Sequence, residues 1–238
     1  MRKLFKNLLL IFLLALSLRA IDFVSRSSID LNGDNEIENI ILININDVGE
    51  FYLEISGQKI KGKFSNEESP DGFKIVDINT NDKYKEIAVH SPGPSDDDEY
   101  FIYWYDGKSI KEMAHLSRWP EFPGNGIVYV KNWEGFWTKI DKYILNNSLR
   151  KLELVPQFAY YVGVKATVKK SFPIFRDKDL KEEVAWLTNN SEIEILLCDT
   201  KNREWDNYIF LIKSALGLVG WAHYKEVIEN LDGLPLAD

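Results

Sequence analysis

The chain has few of the residues that build disulfide frameworks and metal centres. Its 238 residues include one cysteine, Cys198, together with three histidines and two methionines. A single cysteine excludes an internal disulfide framework and any site with several cysteine ligands. Glycine-rich phosphate loops, nucleophile elbows and histidine pairs at metal-ligand spacing do not occur either, so no motif predicts an enzyme. Cys198 lies within an apolar run and is expected to be buried.

Basic residues are also scarce. Lysine and arginine number 29 against 37 aspartates and glutamates, which gives a formal net charge of −8. Four of the basic residues and none of the acidic ones lie in the first twenty positions, so the rest of the chain has 25 basic against 37 acidic residues. Because so acidic a chain repels phosphate backbones, and because it has no basic run with interleaved aromatics, nucleic-acid binding is excluded.

Long apolar runs are absent apart from one near the start of the chain. Leu8–Leu16 is purely apolar and follows Arg2, Lys3 and Lys6. This pattern is typical of a signal peptide, here residues 1–20, because a spanning helix needs about 20 apolar residues. We therefore expect an extracytoplasmic protein, periplasmic or secreted by a bacterium, with no membrane span in the mature chain. An uncleaved N-terminal anchor is the alternative.

The remaining apolar runs are short and predict strands. They are rich in Ile, Val, Tyr, Phe and Trp and end at Gly, Asn, Asp or Pro, as in Ile40–Ile45 and Tyr100–Tyr105. The expected fold class is all-β, with antiparallel meander units over residues 21–156, forming a propeller-like fragment or a sandwich. A small barrel is expected over residues 160–238. Helix is expected only near Ala222–Leu231.

Two acidic loops precede predicted strands. In the first, oxygen-bearing side chains alternate at Asp30, Asn32 and Asp34, Gly33 permits a tight turn, and Glu38 follows. Side chains at alternate positions of such a loop converge on one point, and the oxygen donors suit calcium better than magnesium. The alternative is an ordinary Asp/Asn/Gly turn that binds no ion. The theme recurs 47 residues later in the loop 77–86.

These loops resemble those of the FG-GAP and VCBS families of extracellular β-propeller repeats. The resemblance implies a structural calcium ion. At the first loop it assigns the side chains of Asp30, Asn32, Asp34 and Glu38 as ligands, together with the carbonyl of Glu36. At the second loop, which has Thr80 in place of Gly and one extra residue, the implied ligands are Asp77, Asn79, Asn81 or Asp82, and Glu86. The span holds about three meander units, so a closed propeller is not expected.

The C-terminal part carries a different motif. The sequence Gly217–Ala222 (GLVGWA) closes a series of short strands that begins near Tyr160. In this order the segment resembles a bacterial Src homology 3 (SH3) domain, and the resemblance implies binding of cell-wall peptides or other protein segments. The aromatic residues expected to present flat faces to such a ligand are Phe175, Trp186, Trp205, Tyr208 and Tyr224.

The function expected from these features is that of an exported, calcium-stabilised, non-catalytic binding protein. Its partner would be peptidoglycan or an extracytoplasmic protein. One alternative is a structural or regulatory interaction partner, and a less favoured one is a cell-wall hydrolase that uses Glu134 and Asp141. The acidic run Asp96–Glu99 is expected to be a solvated loop tip, with a second cation site as the alternative.

Overall fold

The computed structural model describes residues 23–94, 97–201 and 204–236. The predicted signal peptide lies outside these ranges. Within them the protein is all-β, as the strand patterns predict, with one α-helix, α1 (Tyr224–Asn230), and a 3₁₀ turn at Trp205–Asn207. The helix confirms the expectation for 222–231. No helix in the described ranges has the length and apolar character that crossing a membrane requires.

The N-terminal part consists of three four-stranded antiparallel sheets, each a simple meander. The first sheet contains β1 (Arg26–Ile29), β2 (Glu38–Asn44), β3 (Glu50–Ile55) and β4 (Gln58–Lys63). The second contains β5 (Gly72–Val76), β6 (Glu86–Ser91), β7 (Glu99–Tyr105) and β8 (Ile110–Ser117). The third contains β9 (Pro120–Glu121), β10 (Ile127–Trp133), β11 (Thr138–Asn146) and β12 (Lys151–Leu154). The expected antiparallel meander units are thereby confirmed.

The second sheet lies between the other two. Val89 and Phe101 on one of its faces pack with Phe51 of the first sheet. Ala88 and Ile102 on the opposite face pack in a second cluster with residues of the third sheet. Strand β6 is therefore buried along its whole length, and its three consecutive apolar residues, Ile87, Ala88 and Val89, face cores on both sides of the sheet.

The acidic loops occupy equivalent places in this stack. The first loop leads into β2 and the second leads into β6, so each precedes the second strand of its sheet. The two acidic loops contact one another, because the Lys85 amide donates to the Leu31 carbonyl at 2.8 Å. The second loop also contacts the third sheet, where the amide of Gly126, just before β10, donates to the Ile78 carbonyl at 2.7 Å. The loops therefore line one end of the three-sheet stack.

The C-terminal part is one seven-stranded antiparallel sheet in the order β15-β14-β18-β17-β16-β13-β19. Its strands are β13 (Tyr160–Val168), β14 (Phe172–Phe175), β15 (Glu183–Leu187), β16 (Glu192–Asp199), β17 (Ile209–Ser214), β18 (Val219–His223) and β19 (Leu231–Asp232). The pairings do not close into a ring, since β15 and β19 lie at opposite edges. The expected barrel closure is not seen in the described pairings, and the SH3 resemblance stays a prediction. Cys198 is buried in this sheet, as expected.

The third sheet shares a core with the C-terminal sheet. Phe136 and Trp137, at the tip of the β10–β11 hairpin, belong to the same buried cluster as Phe210 and Ile195. The Phe136 and Phe210 ring centroids are 5.5 Å apart. The two parts of the chain are thus packed directly against each other.

Candidate functional site

The first acidic loop is organised by its own carboxylates. Asp30 accepts hydrogen bonds from the amides of Gly33 at 2.7 Å and Asn35 at 3.0 Å. Buried Glu38 accepts from the Leu31 amide at 2.7 Å and from the Asn32 side chain at 3.1 Å. Desolvation opposes ionisation of Asp30, but these backbone hydrogen bonds lower its pKa below the usual value. Asp30 therefore holds the loop in shape in its charged form.

No carboxylate of this first loop forms an ion pair within the described part of the chain. Asp34 accepts only a local hydrogen bond, from the Glu36 amide at 2.8 Å. Glu36 itself is exposed. The turn at Gly107 of the second sheet lies close to this loop, since an added Cβ there would be 3.0 Å from Asn32 Nδ2. The loop thus gathers negative charge without an ion-pair partner among the described residues, while the aliphatic part of the Lys83 side chain packs close to Gly33.

The second loop repeats the central feature of the first. Glu86 accepts from the Ile78 amide at 3.0 Å, as Glu38 does from Leu31. Its other oxygen, Oε1, is buried without a hydrogen-bond partner, and so is Oδ1 of Asp77. Desolvation, with the charges of Asp82 and Asp77, raises the pKa of Glu86 to about 7. Two buried carboxylate oxygens are therefore left for a proton or a cation to satisfy.

A protein cation reaches this second loop. Arg150 Nη1 lies 3.2 Å from Asp82 Oδ2, and the guanidinium stacks 4.4 Å from the ring centroid of Tyr84. Arg150 sits just before β12, with φ +45°. A turn of the third sheet therefore supplies the second loop with an ion pair, which the carboxylates of the first loop do not form within the described residues.

The donor set of both loops fits a hard cation in part. Oxygen atoms of Asn32, Asp77 and Glu86 are buried and unpartnered, which is the environment that a bound ion or water would relieve. In the described ranges, however, no group of three or more His, Cys, Asp or Glu side chains is arranged to hold a metal ion. Calcium at either loop therefore remains a prediction.

The five aromatic residues expected to form one binding surface lie in different settings. Trp205 is 63% exposed, and its ring meets that of Tyr224 edge-on at 5.3 Å. Trp186 is also exposed and donates to Glu183 at 3.0 Å. Tyr208 is buried, and desolvation together with nearby Glu134 raises its pKa to about 12. Phe175 is half-buried on β14.

Trp205 and Tyr224 line a groove of about 340 Å³. The 3₁₀ turn carries Trp205, and α1 carries Tyr224, so the two rings are placed by short local elements at one end of the sheet. The His223 side chain caps α1 by accepting from the Lys225 amide at 3.1 Å. Charged side chains of both signs, Asp206, Lys225 and Glu229, complete the groove.

The two carboxylates considered for a hydrolase are tied to one lysine. Lys139 Nζ lies 3.3 Å from Glu134 Oε1 and 3.3 Å from Asp141 Oδ2. Asp141 also accepts from the Tyr160 hydroxyl at 2.8 Å and from Asn132 at 2.8 Å. Desolvation lowers the pKa of Lys139, but the two carboxylates outweigh this and raise it. The network joins the third sheet to β13.

The acidic run at 96–99 is not a solvated tip at Asp98 and Glu99, and that expectation was wrong for both. Glu99 is buried, accepts from the Ser65 hydroxyl at 2.6 Å and lies 2.5 Å from His115 Nε2. Asp98 is buried and accepts from the Gly93 amide at 3.1 Å. Asp96 lies outside the described residues. The adjacent charges gave no sign of this burial because their partners are distant or follow other strands: Ser65 lies just after β4, Gly93 just after β6, and His115 on β8.

Sequence reasoning also missed a buried histidine. His90 Nδ1 lies 2.7 Å from Asp71 Oδ1, and the ring stacks on Phe23 at 4.3 Å. Its Nε2 has no hydrogen-bond partner and lies 3.7 Å from Asp98 Oδ2. Nothing in the local sequence around His90 indicated these contacts, because Asp71 is nineteen residues away in the sequence. It lies just before β5, the strand that pairs with β6.

Comparisons with models of known protein families and with curated proteins found no match to this chain.

Proposed function

We propose that the protein is an exported, non-catalytic binding protein that recognises peptidoglycan or an extracytoplasmic protein through the Trp205–Tyr224 groove. The observation that carries this proposal is the exposure of Trp205, 63% of whose surface is open to solvent. A large aromatic side chain is normally covered, and an uncovered one beside a groove is typical of a recognition site.

The surroundings of Trp205 support this role. Tyr224 braces one side of the indole, so little conformational freedom is lost when a ligand packs on the other. Asp206 and Lys225 place both signs of charge along the rim. An extended peptide that carries both positive and negative groups, such as a cell-wall stem peptide, matches such a rim.

Calcium is proposed as a structural part of the same protein. The first loop supports it, because Asp30, Asp34 and Glu38 have no ion-pair partner in the described residues. The unpartnered Asn32 Oδ1 adds a neutral oxygen donor. A cation there would fix the end of the stack and would stand outside the recognition chemistry.

Sedimentation with purified peptidoglycan tests the recognition proposal. The full-length mature protein should sediment with the wall, and Trp205→Ala should reduce the bound fraction severalfold while melting at the parent temperature. Trp186→Ala is the matched control, because Trp186 is similarly exposed but lies on β15 and does not line the groove. Equal loss in both variants, or none in Trp205→Ala, would remove the groove from recognition.

The interaction-partner alternative has its own outcome in this experiment. If the protein stays in the supernatant but Trp205→Ala abolishes a complex with one extracytoplasmic protein, the groove serves that protein and not the wall. The hydrolase alternative predicts that pure protein lowers the turbidity of a wall suspension. Glu134 and Asp141, which both contact Lys139, would then have to be required for the turbidity loss.

A further inference from the structure

A second groove, separate from the Trp205 groove, lies where the third sheet meets the start of β13. Its volume is about 500 Å³, within the range of small-molecule and oligomer sites. It is unusually aromatic: its walls include Tyr129, Trp133, Trp137, Tyr160 and Tyr161. We call this the aromatic groove.

One wall is the outer face of the third sheet. Tyr129 pairs with Lys142, and Trp133 pairs with Thr138, in the antiparallel register of β10 and β11. Directly paired residues share a face, so these four side chains point the same way, away from the second sheet. Because a residue rises about 3.4 Å along a strand, Tyr129 and Trp133 are roughly 14 Å apart. The wall thus offers two aromatic side chains far enough apart to contact different units of an oligomeric ligand.

The other wall is fixed by a bulge in β13. The pairing with β16 shifts register between Tyr161 and Val164, and Gly163 in between has φ +68°. The Tyr161 ring lies over this glycine so closely that a Cβ there would be 2.6 Å from ring carbons. Tyr161 is 71% exposed yet held in place. A bulge of this kind directs a side chain at a defined spot.

One lining residue of the groove carries an unsatisfied donor. Trp137 lines the groove and is buried, and its indole Nε1 has no hydrogen-bond partner among the described residues. A buried N–H without a partner is costly, so a bound group that accepts a hydrogen bond would gain more here than at the surface. The occupant should therefore carry acceptor oxygens as well as apolar faces.

The charge of the groove differs from that of the Trp205 groove and of the cavity beside His115. Among the described residues that line it there is no acidic side chain, and Lys142 is the one that is charged. The Trp205 groove contains Asp206 and Glu229, and the cavity beside His115 contains Asp97 and Glu99. In a chain of net charge −8, this groove disfavours a cationic ligand and accepts a neutral or anionic one.

We propose that the aromatic groove binds a glycan, a chain of neutral pyranose rings. The C–H faces of such rings are apolar and stack on exposed aromatic side chains, while their edges carry hydroxyl and acetamido oxygens that accept hydrogen bonds. Trp133 and Tyr161 supply the faces, and Trp137 supplies the donor. This site is independent of the Trp205 groove, so the two can be tested separately.

Titration of the full-length mature protein with uncharged and charged oligosaccharides tests the proposal. Tetra-N-acetylglucosamine and cellotetraose are the neutral probes, and tetraglucosamine is the cationic one. We expect saturable changes in tryptophan fluorescence and in calorimetric heat with a neutral probe, and binding at least about tenfold weaker with the cationic probe. Absence of binding by both neutral probes would overturn the proposal.

Variants locate the site. Trp133→Ala and Tyr161→Ala, both at exposed positions, should weaken neutral-probe binding about tenfold or more at an unchanged melting temperature. Gly163→Ala should weaken it without touching the ligand, because it displaces Tyr161. Tyr52→Ala, at a position of β3 as exposed as Trp133, is the matched control and should bind the probe normally. If Tyr52→Ala weakens binding as much as Trp133→Ala does, or if a cell-wall stem peptide competes at this groove, the glycan assignment is overturned while the Trp205 proposal stands on its own test.

Discussion

The two acidic loops share one backbone scheme but balance their charge differently. In each, a buried glutamate at the start of a strand accepts from the amide that follows the leading aspartate, Leu31 in one and Ile78 in the other. The first loop satisfies both oxygens of Glu38 with its own donors. The second leaves Glu86 Oε1 without a partner and recruits Arg150 to Asp82. The two loops therefore share a backbone shape but differ in how the charge of their carboxylates is balanced.

The difference begins at one residue. Gly33 adopts φ +68° and lets the first loop turn tightly against Lys83 of the second. The second loop has Thr80 there, and its amide and hydroxyl both donate to the Gly124 carbonyl at 2.9 Å. Threonine resists positive φ, so the extra residue of this loop completes the turn instead. The longer loop then brings Asp82 within reach of Arg150.

The largest effect is expected at Glu38. Glu38→Ala leaves the Leu31 amide and the Asn32 side chain without an acceptor in a buried setting, and should cost about 3 to 4 kcal/mol of unfolding free energy. Urea denaturation measures it. Glu36→Ala, at an exposed position of the same loop, should change stability by less than about 0.5 kcal/mol. Similar losses in both would mean that Glu38 has no special role.

At Glu86, in contrast, removal of the carboxylate charge is expected to stabilise the folded protein. Its folded pKa of about 7 exceeds the reference value of 4.5, so the folded protein keeps a proton that the unfolded chain releases. In chelator, stability should be highest below pH 4.5 as far as this group is concerned, and should fall by about 3 kcal/mol as the pH rises to about 7. Glu86→Gln should remove this decline and stabilise the protein at pH 8. An unchanged pH profile in Glu86→Gln would contradict the assignment.

Substitutions in the two loops should change the stabilisation by calcium in opposite directions. An ion that binds only the folded state stabilises by about 2.7 kcal/mol at a hundredfold excess over its Kd, so millimolar calcium should raise the melting temperature by several degrees. Asp30→Ala should abolish most of this rise. Arg150→Gln should enlarge it, because Asp82 loses its protein cation. Identical melts of the parent in calcium and in chelator would show both loops to be ion-free turns.

A smaller effect tests the turn itself. Gly33→Ala forces a Cβ into left-handed backbone and to 2.7 Å from the Lys83 Cβ, and should cost about 2 kcal/mol. Thr80→Ala, which loses one hydroxyl hydrogen bond, should cost about 1 kcal/mol. Thermal denaturation of both variants gives the comparison. A larger loss of stability in Thr80→Ala than in Gly33→Ala would contradict the proposal that the difference between the loops begins at Gly33.

Local patterns predicted the features that depend on neighbours in sequence. The strands around Ile40 and Tyr100, the short helix and the burial of Cys198 all follow from apolar periodicity and turn residues. The pairing of Glu38 with Leu31 lies within nine residues and belongs to the loop motif. Features that depend on register and stacking were not predictable, since they join distant segments.

Arg150 and the aromatic groove show why. Arg150 is 68 residues from Asp82, and only the stacking of the third sheet on the second brings them together. Trp133 and Tyr161 share a groove because β13 turns back along the third sheet and carries a bulge. Tyr208 shows the converse error: an aromatic side chain expected at the surface lies in the core, because only register decides which face of β17 it approaches.

The hairpin tip that carries Phe136 and Trp137 changes what a cut in the chain would do. These two rings are anchored in a core whose other members come from residues 160–231. A protease that cleaves the connection at 155–159 would leave two fragments that remain associated through the packing of that hairpin and through the Lys139 network. Such a nicked protein should remain one particle on a sizing column and melt in a single cooperative step, so covalent continuity and structural integrity are separable in this molecule.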